Sequence, residues 1–215
     1  MNSYTNNSEG SNSNPERSIG LIVCGPCACG KSEIASALAA HFQVPFVDAD
    51  ALHSETNIQK MSAGIPLTDQ DRLPWLQQVR KELIQKQRKD LPEDENPPVT
   101  VVGACSALKR TYRDILAGRG VGGSGDADIS EGTASDGDLL TIFVFLKCSE
   151  EVLQKRLNAR QGHFMKANML SSQLATLELP QETTEGNRAL IVDGDKDLSQ
   201  VVAESIEKLH KLCRK

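Results

Sequence analysis

Short apolar runs alternate along this chain with longer segments whose apolar residues recur every three or four positions. Residues 19–24, with Ile19, Leu21, Ile22 and Val23, have the length of a buried strand. The following segment carries Ile34, Ala35, Leu38, Ala39 and Phe42, a spacing that puts all five on one helix face. Residues 45–47 predict a second strand, which runs into Asp48-Ala49-Asp50. After a polar stretch, a helix is predicted over about 73–88. Residues 99–103 predict a third strand, followed by a helix through Leu108, Tyr112 and Ile115. Residues 139–146, apolar except for Thr141, predict a fourth strand, with a helix over 150–160 behind it. Residues 189–192 make a fifth strand, and a closing helix carries Leu198, Val201, Val202, Ile206, Leu209 and Leu212. Strands this apolar, separated by helices, predict an α/β fold: a five-stranded parallel sheet with helices on both faces.

Two segments break the pattern. Residues 1–17 are rich in Asn and Ser and predict a disordered polar tail. Residues 118–138 hold seven of the 16 glycines, mixed with Ser and Asp and without apolar periodicity, and predict a flexible insertion. The remainder, 18–215, is read as a single domain. The net charge of −5 is concentrated in these two segments, so the folded part is close to neutral. That excludes a basic nucleic-acid footprint and argues against a polybasic membrane surface. No apolar run approaches the roughly 20 residues of a membrane span, and the polar N-terminus lacks the core of a secretory signal. Six cysteines, three of them crowded at Cys24, Cys27 and Cys29, do not form the spacing of a disulfide framework. The expected compartment is the reducing cytoplasm.

The first strand leads directly into Gly25-Pro26-Cys27-Ala28-Cys29-Gly30-Lys31-Ser32, the pattern G-x-x-x-x-G-K-S between a strand and a helix. Backbone amides of such a loop and the positive end of the following helix cradle phosphates. Gly25 to Ser32 are therefore the expected ATP-binding residues, with Lys31 on the β- and γ-phosphates and the Ser32 hydroxyl on Mg2+. Ala28 is unusual in this loop, because alanine tolerates positive φ worse than glycine. Two readings stay open for the loop cysteines. They are small residues in place of serine, or Cys29, near a helix N-terminus, has raised thiolate character.

A phosphate loop does not by itself separate a kinase from a GTPase or a motor. No N-K-x-D base-reading motif is present, and the third strand lacks a Walker-B aspartate. Asp48, Asp50 and His53 follow the second strand instead, at the edge where open parallel sheets bind ligands. Such carboxylates can also simply cap the next helix.

Here the chain resembles the gluconokinases of the P-loop small-molecule kinases. The resemblance rests on Asp48-Ala49-Asp50-Ala51-Leu52-His53, Asn57-Ile58-Gln59-Lys60-Met61, Gly64-Ile65-Pro66-Leu67-Thr68-Asp69 and Asp71-Arg72-Leu73-Pro74-Trp75-Leu76. It continues through Ala104-Cys105-Ser106-Ala107-Leu108-Lys109-Arg110, Tyr112-Arg113-Asp114, Arg156-Leu157 with Arg160, Gly162-His163-Phe164-Met165, Met169-Leu170, Ser172-Gln173 and Thr176-Leu177-Glu178. It implies a P-loop kinase fold with a helical lid, and ATP-dependent phosphorylation of D-gluconate to 6-phospho-D-gluconate; the phosphate loop read without it leaves open a P-loop kinase of another small acceptor, shikimate-like or a nucleotide, or a catalytically silent ATP-binding protein. The implied catalytic residues are Lys31, Asp50, Arg156 and Arg160, with Asp50 as base. Asp48 would act as a partner of Mg2+ through water. Asp50, His53, Arg72, Arg110, Arg113, His163 and Gln173 are the implied substrate residues, the arginines as partners for the sugar-acid carboxylate. Arg156 and Arg160 would sit on the lid, although basic residues at a helix C-terminus also complement its dipole. Trp75 reads as packing rather than as a ligand platform. The resemblance also allows a homodimer. The insertion and the Pro-rich connection over 90–98 each join a helix to the start of a strand, so topology puts both opposite the active-site edge.

Overall fold

The computed structural model describes residues 18–92, 96–119, 139–159, 167–181 and 188–214. Within them five strands form one parallel sheet in the order β2-β3-β1-β4-β5. These are β1 (Ile19–Cys24), β2 (Phe46–Asp48), β3 (Val99–Ala104), β4 (Leu140–Lys147) and β5 (Ala189–Asp193). The α-helices among the described residues are α1 (Lys31–Phe42), α2 (Glu55–Ser62), α3 (Asp69–Lys86), α4 (Arg110–Leu116), α5 (Glu150–Ala159), α6 (Ala167–Thr176) and α7 (Leu198–Cys213). A 3-10 turn, Ala49–Leu52, follows β2.

Central placement of β1 explains its composition. Leu21 pairs with Val102 on one side and Ile142 on the other, and every residue of the strand is buried. Leu21 and Val23 enter a core shared with Ile34 and Leu38 of α1, Leu153 of α5, Leu170 of α6 and Leu209 of α7. Ile22 and Cys24 point the other way, into a core with Trp75, Leu76 and Val79 of α3 and Tyr112 and Leu116 of α4. A strand covered on both faces has no polar face to display, hence the unbroken apolar run.

The structure moves some predicted boundaries. β2 begins and ends one residue later than the apolar pattern indicates. Helix α3 starts at Asp69, well before residue 73, because Thr68 and Asp71 form a reciprocal capping box. Thr68 Oγ1 accepts from the Asp71 amide at 3.2 Å, and Asp71 Oδ2 accepts from the Thr68 amide at 3.0 Å. Pro74 then lies inside the helix, near its start. Helices α2 and α6 had no predicted counterpart. The one buried residue of α2 is Asn57, so its pattern carries no apolar stripe. The predicted tail and residues 120–138 of the predicted insertion fall outside the described residues, as does the segment 160–166 with Arg160 and His163. The chain flanking the insertion meets the amino-terminal end of the sheet, where Leu140 donates to the Ser18 carbonyl at 2.8 Å. Ile19 donates to Pro98 there at 2.9 Å, so the 90–98 connection also ends at that edge.

The capping box also ties α2 to α3, since Lys60 Nζ lies 2.7 Å from Asp71 Oδ1. That hydrogen bond, with those from Thr68, pulls the Asp71 carboxyl down to about 2. A depressed carboxyl stabilises the fold above its ordinary pKa of 3.8 and loses that contribution as pH falls toward 2. Thr68→Ala is expected to cost about 1 kcal/mol of stability, read as a lowered urea midpoint at pH 7. An unchanged midpoint would contradict this role for the box.

Candidate active site

At the end of β1 the chain must turn sharply in a crowded place. A Cβ on Gly25 would lie 3.0 Å from Cys29 Sγ and 3.1 Å from the Leu146 carbonyl, and its φ is +143°. Glycine alone fits there. Ala28 adopts φ 62°, a left-handed conformation that costs an L-residue about 1–2 kcal/mol. The loop therefore carries strain where the sequence puts Ala, as loops built for ligands often do. Cys27, Ala28 and Cys29 are buried, at 6%, 5% and 0% exposure. The loop is anchored to the neighbouring strand's exit, because the Gly25 amide donates to the Ser106 carbonyl at 3.2 Å. Among the described residues, the amides of Ala28, Gly30 and Ser32 have no protein acceptor. Converging amides of this kind at the start of α1 form a nest for anions. Lys31 folds back over the loop, its Nζ donating to the Pro26 carbonyl at 2.9 Å.

The acceptor side is built from β2 and the elements that follow it. Asp48 Oδ1 accepts from the Asp50 amide at 3.0 Å, so Asp48 caps the 3-10 turn with one oxygen. Asp50 stands exposed beyond it. His53 stacks on Trp75 with ring centroids 4.1 Å apart and planes 14° from parallel. Trp75 is buried and donates from Nε1 to the Ala49 carbonyl at 2.7 Å, so it supports the turn that presents Asp50, in line with the packing reading. Arg72 donates to the Leu67 carbonyl and sits 5.7 Å from the centroid of the Tyr112 ring. Asp69 accepts from the Tyr112 hydroxyl and pairs with Lys109 at 2.8 Å. The Asp69–Lys109–Tyr112 group fastens α3 to α4 across the crevice, and no sequence spacing announced it.

Charge is arranged around the loop. Burial works against the Lys31 ammonium, but its attraction to the Cys29 sulfur and to Asp50 outweighs burial and holds the pKa above the ordinary lysine value. Burial also pushes the Cys29 thiol up, beyond the opposing pull of Lys31 and Arg156. Cys29 is thus a neutral thiol at pH 7, contrary to the reading of raised thiolate character, and Asp50 is the charge that Lys31 meets. Burial pushes Cys105 and Cys148 to about 12 each. Burial lowers the His53 pKa despite Asp50, and Arg72 lowers it further, so His53 is a neutral imidazole.

The structure brings Lys31, Asp48, Asp50, His53 and Arg72 toward one crevice at the carboxyl edge of the sheet. It places three other residues differently from a simple substrate contact. Arg113 is fully buried and donates to the carbonyls of Ala107 at 2.9 Å and Leu108 at 3.2 Å, holding the loop after β3 where Ala107 has φ 43°. Arg110 remains partly exposed beside Asp114 at 3.8 Å, and its amide donates to Glu178 Oε2 at 2.7 Å. Gln173 Oε1 accepts from the Cys27 amide at 2.6 Å, inside the phosphate loop. Arg156 lies against the same loop from the other side, donating to the Gly194 carbonyl at 2.9 Å and the Cys29 carbonyl at 3.4 Å. Ser32 is exposed in the first turn of α1.

A phosphate loop on the central strand, with a carboxylate and cations on the neighbouring strand exits, defines a P-loop kinase of small molecules. The chain matches the shikimate kinase family over residues 27–210. It is 36% identical over 190 residues to the thermoresistant gluconokinase of Escherichia coli K12, covering 88% of this chain and 93% of that one. It is 38% identical over 186 residues to the gluconokinase of Gluconobacter oxydans 621H, covering 86% and 88%. The crystal structure of a gluconokinase from Sinorhizobium meliloti 1021 is similar at a TM-score of 0.69 and 38% identity, covering 93% of this chain and 94% of that one. The chain belongs to the gluconokinase family and is a phosphotransferase. No helix among the described residues is long and apolar enough to cross a membrane.

Because Cys29 is buried and neutral, iodoacetamide at pH 7.5 is expected to leave it unmodified in the native protein and to label it only after unfolding. Peptide mass spectrometry reads both states. Rapid labelling of native Cys29 would contradict the assigned burial and protonation.

Proposed function

We propose that this kinase transfers the terminal phosphoryl group of ATP to the 6-hydroxyl of D-gluconate, giving 6-phospho-D-gluconate and ADP and feeding the pentose phosphate route. The observation that carries the reading is the exposed Asp50 carboxylate, whose charge acts on Lys31 of the phosphate loop and on His53 of the acceptor segment alike. A base placed between donor and acceptor is what transfer to an alcohol requires. In this reading the hydroxyl oxygen bonds to phosphorus as its proton passes to Asp50. The bond from phosphorus to the ADP oxygen breaks, and ADP leaves with that electron pair. Lys31 holds the β- and γ-phosphates, and the free loop amides hold the rest of the chain of phosphates. Arg156, clamped on the Cys29 and Gly194 carbonyls, borders the nucleotide side of that loop, and Arg160 belongs to the same catalytic set.

On the acceptor side, His53 as a neutral imidazole hydrogen-bonds a substrate hydroxyl, and Arg72 and Arg110 meet the carboxylate of the sugar acid. Arg113 serves the same subsite from behind by fixing the loop that presents Arg110. His163 joins this substrate set. Magnesium fits the residues present: the Ser32 hydroxyl is exposed, and Asp48 spends only one carboxylate oxygen on its cap. Mg2+ keeps several waters and takes few protein ligands beside phosphates, so Ser32 would bind it directly and Asp48 through water. When bound it neutralises charge on the phosphate oxygens. All six cysteines are free thiols, which suits a reducing cytoplasm.

ADP release in a coupled assay with MgATP tests the acceptor, with gluconate, shikimate, AMP and no acceptor run in parallel. Turnover with gluconate alone is the expected result. Turnover with shikimate alone would favour the broader family's substrate, and no turnover with any acceptor would contradict the reading. Asp50→Asn is expected to lower kcat by about 10²–10⁴-fold with the melting temperature unchanged. Retained kcat would remove Asp50 from the role of base.

A further inference from the structure

Lys31 and Gln173 grip the same peptide group from its two sides. The carbonyl of Pro26 accepts from Lys31 Nζ at 2.9 Å, and the amide of the next residue, Cys27, donates to Gln173 Oε1 at 2.6 Å. This peptide lies in the half of the loop that precedes Lys31, so the side chain that reads the terminal phosphate and the Gln173 carboxamide flank one point of the backbone. Among the described residues the Cys27 amide is the only interaction of the Gln173 side chain. Its two Nε2 hydrogens are left for another acceptor, and the half-buried carboxamide, its oxygen held by the Cys27 amide, keeps them beside the loop.

Helix α6 is built to hold this side chain still. Met169 and Leu170 are buried at 4% and 1% exposure, and Leu170 shares a core with Cys27 and Cys29 of the loop. Just past the helix, the Glu178 amide donates to the Leu108 carbonyl at 2.9 Å, while Glu178 Oε2 accepts from the Arg110 amide at 2.7 Å. The helix is thus fastened to the core at one end and to the acceptor-side loop at the other, with Gln173 between. A donor fixed before reaction, near developing charge, lowers the barrier without reorganising.

We propose that Gln173 is a catalytic residue of the transfer itself: with Oε1 held by the Cys27 amide, its Nε2 donates to an oxygen of the phosphoryl group in flight. This rests on the phosphotransfer reading above and replaces a contact between Gln173 and the sugar acid. Gln173 makes and breaks no covalent bond and moves no proton.

Two variants separate this from a mere latch. Gln173→Glu keeps an oxygen for the Cys27 amide but has no donor, and Gln173→Met keeps the length and has neither. Both are expected to lower kcat by about 10²-fold or more at saturating MgATP. The KM for gluconate, the affinity for MgADP and the melting temperature should stay within about twofold or a few degrees of the parent. Affinity for MgADP with aluminium fluoride, a mimic of the phosphoryl in flight, should fall by a factor comparable to kcat. Parental kcat and parental aluminium fluoride affinity in Gln173→Glu would overturn the proposal in favour of a latch. A raised KM for gluconate with kcat intact in either variant would overturn it in favour of a sugar contact. Should one variant fail to fold, the other decides by the same readings. Failure of the parent to phosphorylate gluconate would instead refute the acceptor, and the aluminium fluoride comparison would still judge Gln173.

Discussion

Parallel pairing of β1 with β3 on one side and β4 on the other brings the exits of three strands to one edge, and the site depends on that alignment. β2 completes the arrangement by pairing with β3, so that Asp48 lies opposite Ala104. The phosphate loop leaves from β1, the carboxylates from β2, and the Arg113-braced loop from β3. None of these groups is near another in sequence; the sheet alone makes them neighbours. At the start of the phosphate loop Gly25 leaves no room for a Cβ, which would lie 3.0 Å from the Cys29 sulfur and 3.1 Å from the Leu146 carbonyl of β4. Any side chain there would push the loop away from the strand that positions it.

Strain and charge are concentrated at the same edge. Two alanines hold positive φ, Ala28 in the phosphate loop and Ala107 in the loop after β3. Each is enclosed by protein, at 5% and 0% exposure, and Ala107 is further fixed by the buried guanidinium of Arg113. Packing over-determines these conformations, which is how strained backbone persists in a folded chain. The electrostatics follow from burial in the same way. With burial pushing the Cys29 and Cys105 thiols up, Asp50 is left as the negative partner of Lys31 at pH 7.

Much of the fold was legible in the sequence, for a physical reason. β1 and β4 are buried on both faces, so their apolar runs are unambiguous, and α1 shows a clean apolar face. Helix α2 could not be read because it buries Asn57 rather than an apolar stripe. The start of α3 was obscured by Pro74, which suggests a helix beginning just before it, whereas the capping box at Thr68 and Asp71 governs. The phosphate loop and the strand-end pair Asp48 and Asp50 were legible as motifs. The capping role of Asp48 had been one of two open readings, and the structure shows it. The partners of Gln173 and Arg113 were not legible. The Cys27–Gln173 contact spans 146 residues of sequence, and an arginine on a helix gives no sign that its guanidinium turns inward to main-chain carbonyls.

In the proposed transfer, Lys31 on the donor side and Asp50 on the acceptor side face a single reacting phosphorus. A crystal structure of the protein with Mg2+, a non-hydrolysable ATP analogue and gluconate measures it directly. The account predicts Lys31 Nζ on the terminal phosphate and the Asp50 carboxylate at about 2.6–3.2 Å from the sugar-acid hydroxyl that faces that phosphate. A gluconate hydroxyl in line with the phosphate and Asp50 turned away from it would contradict the account.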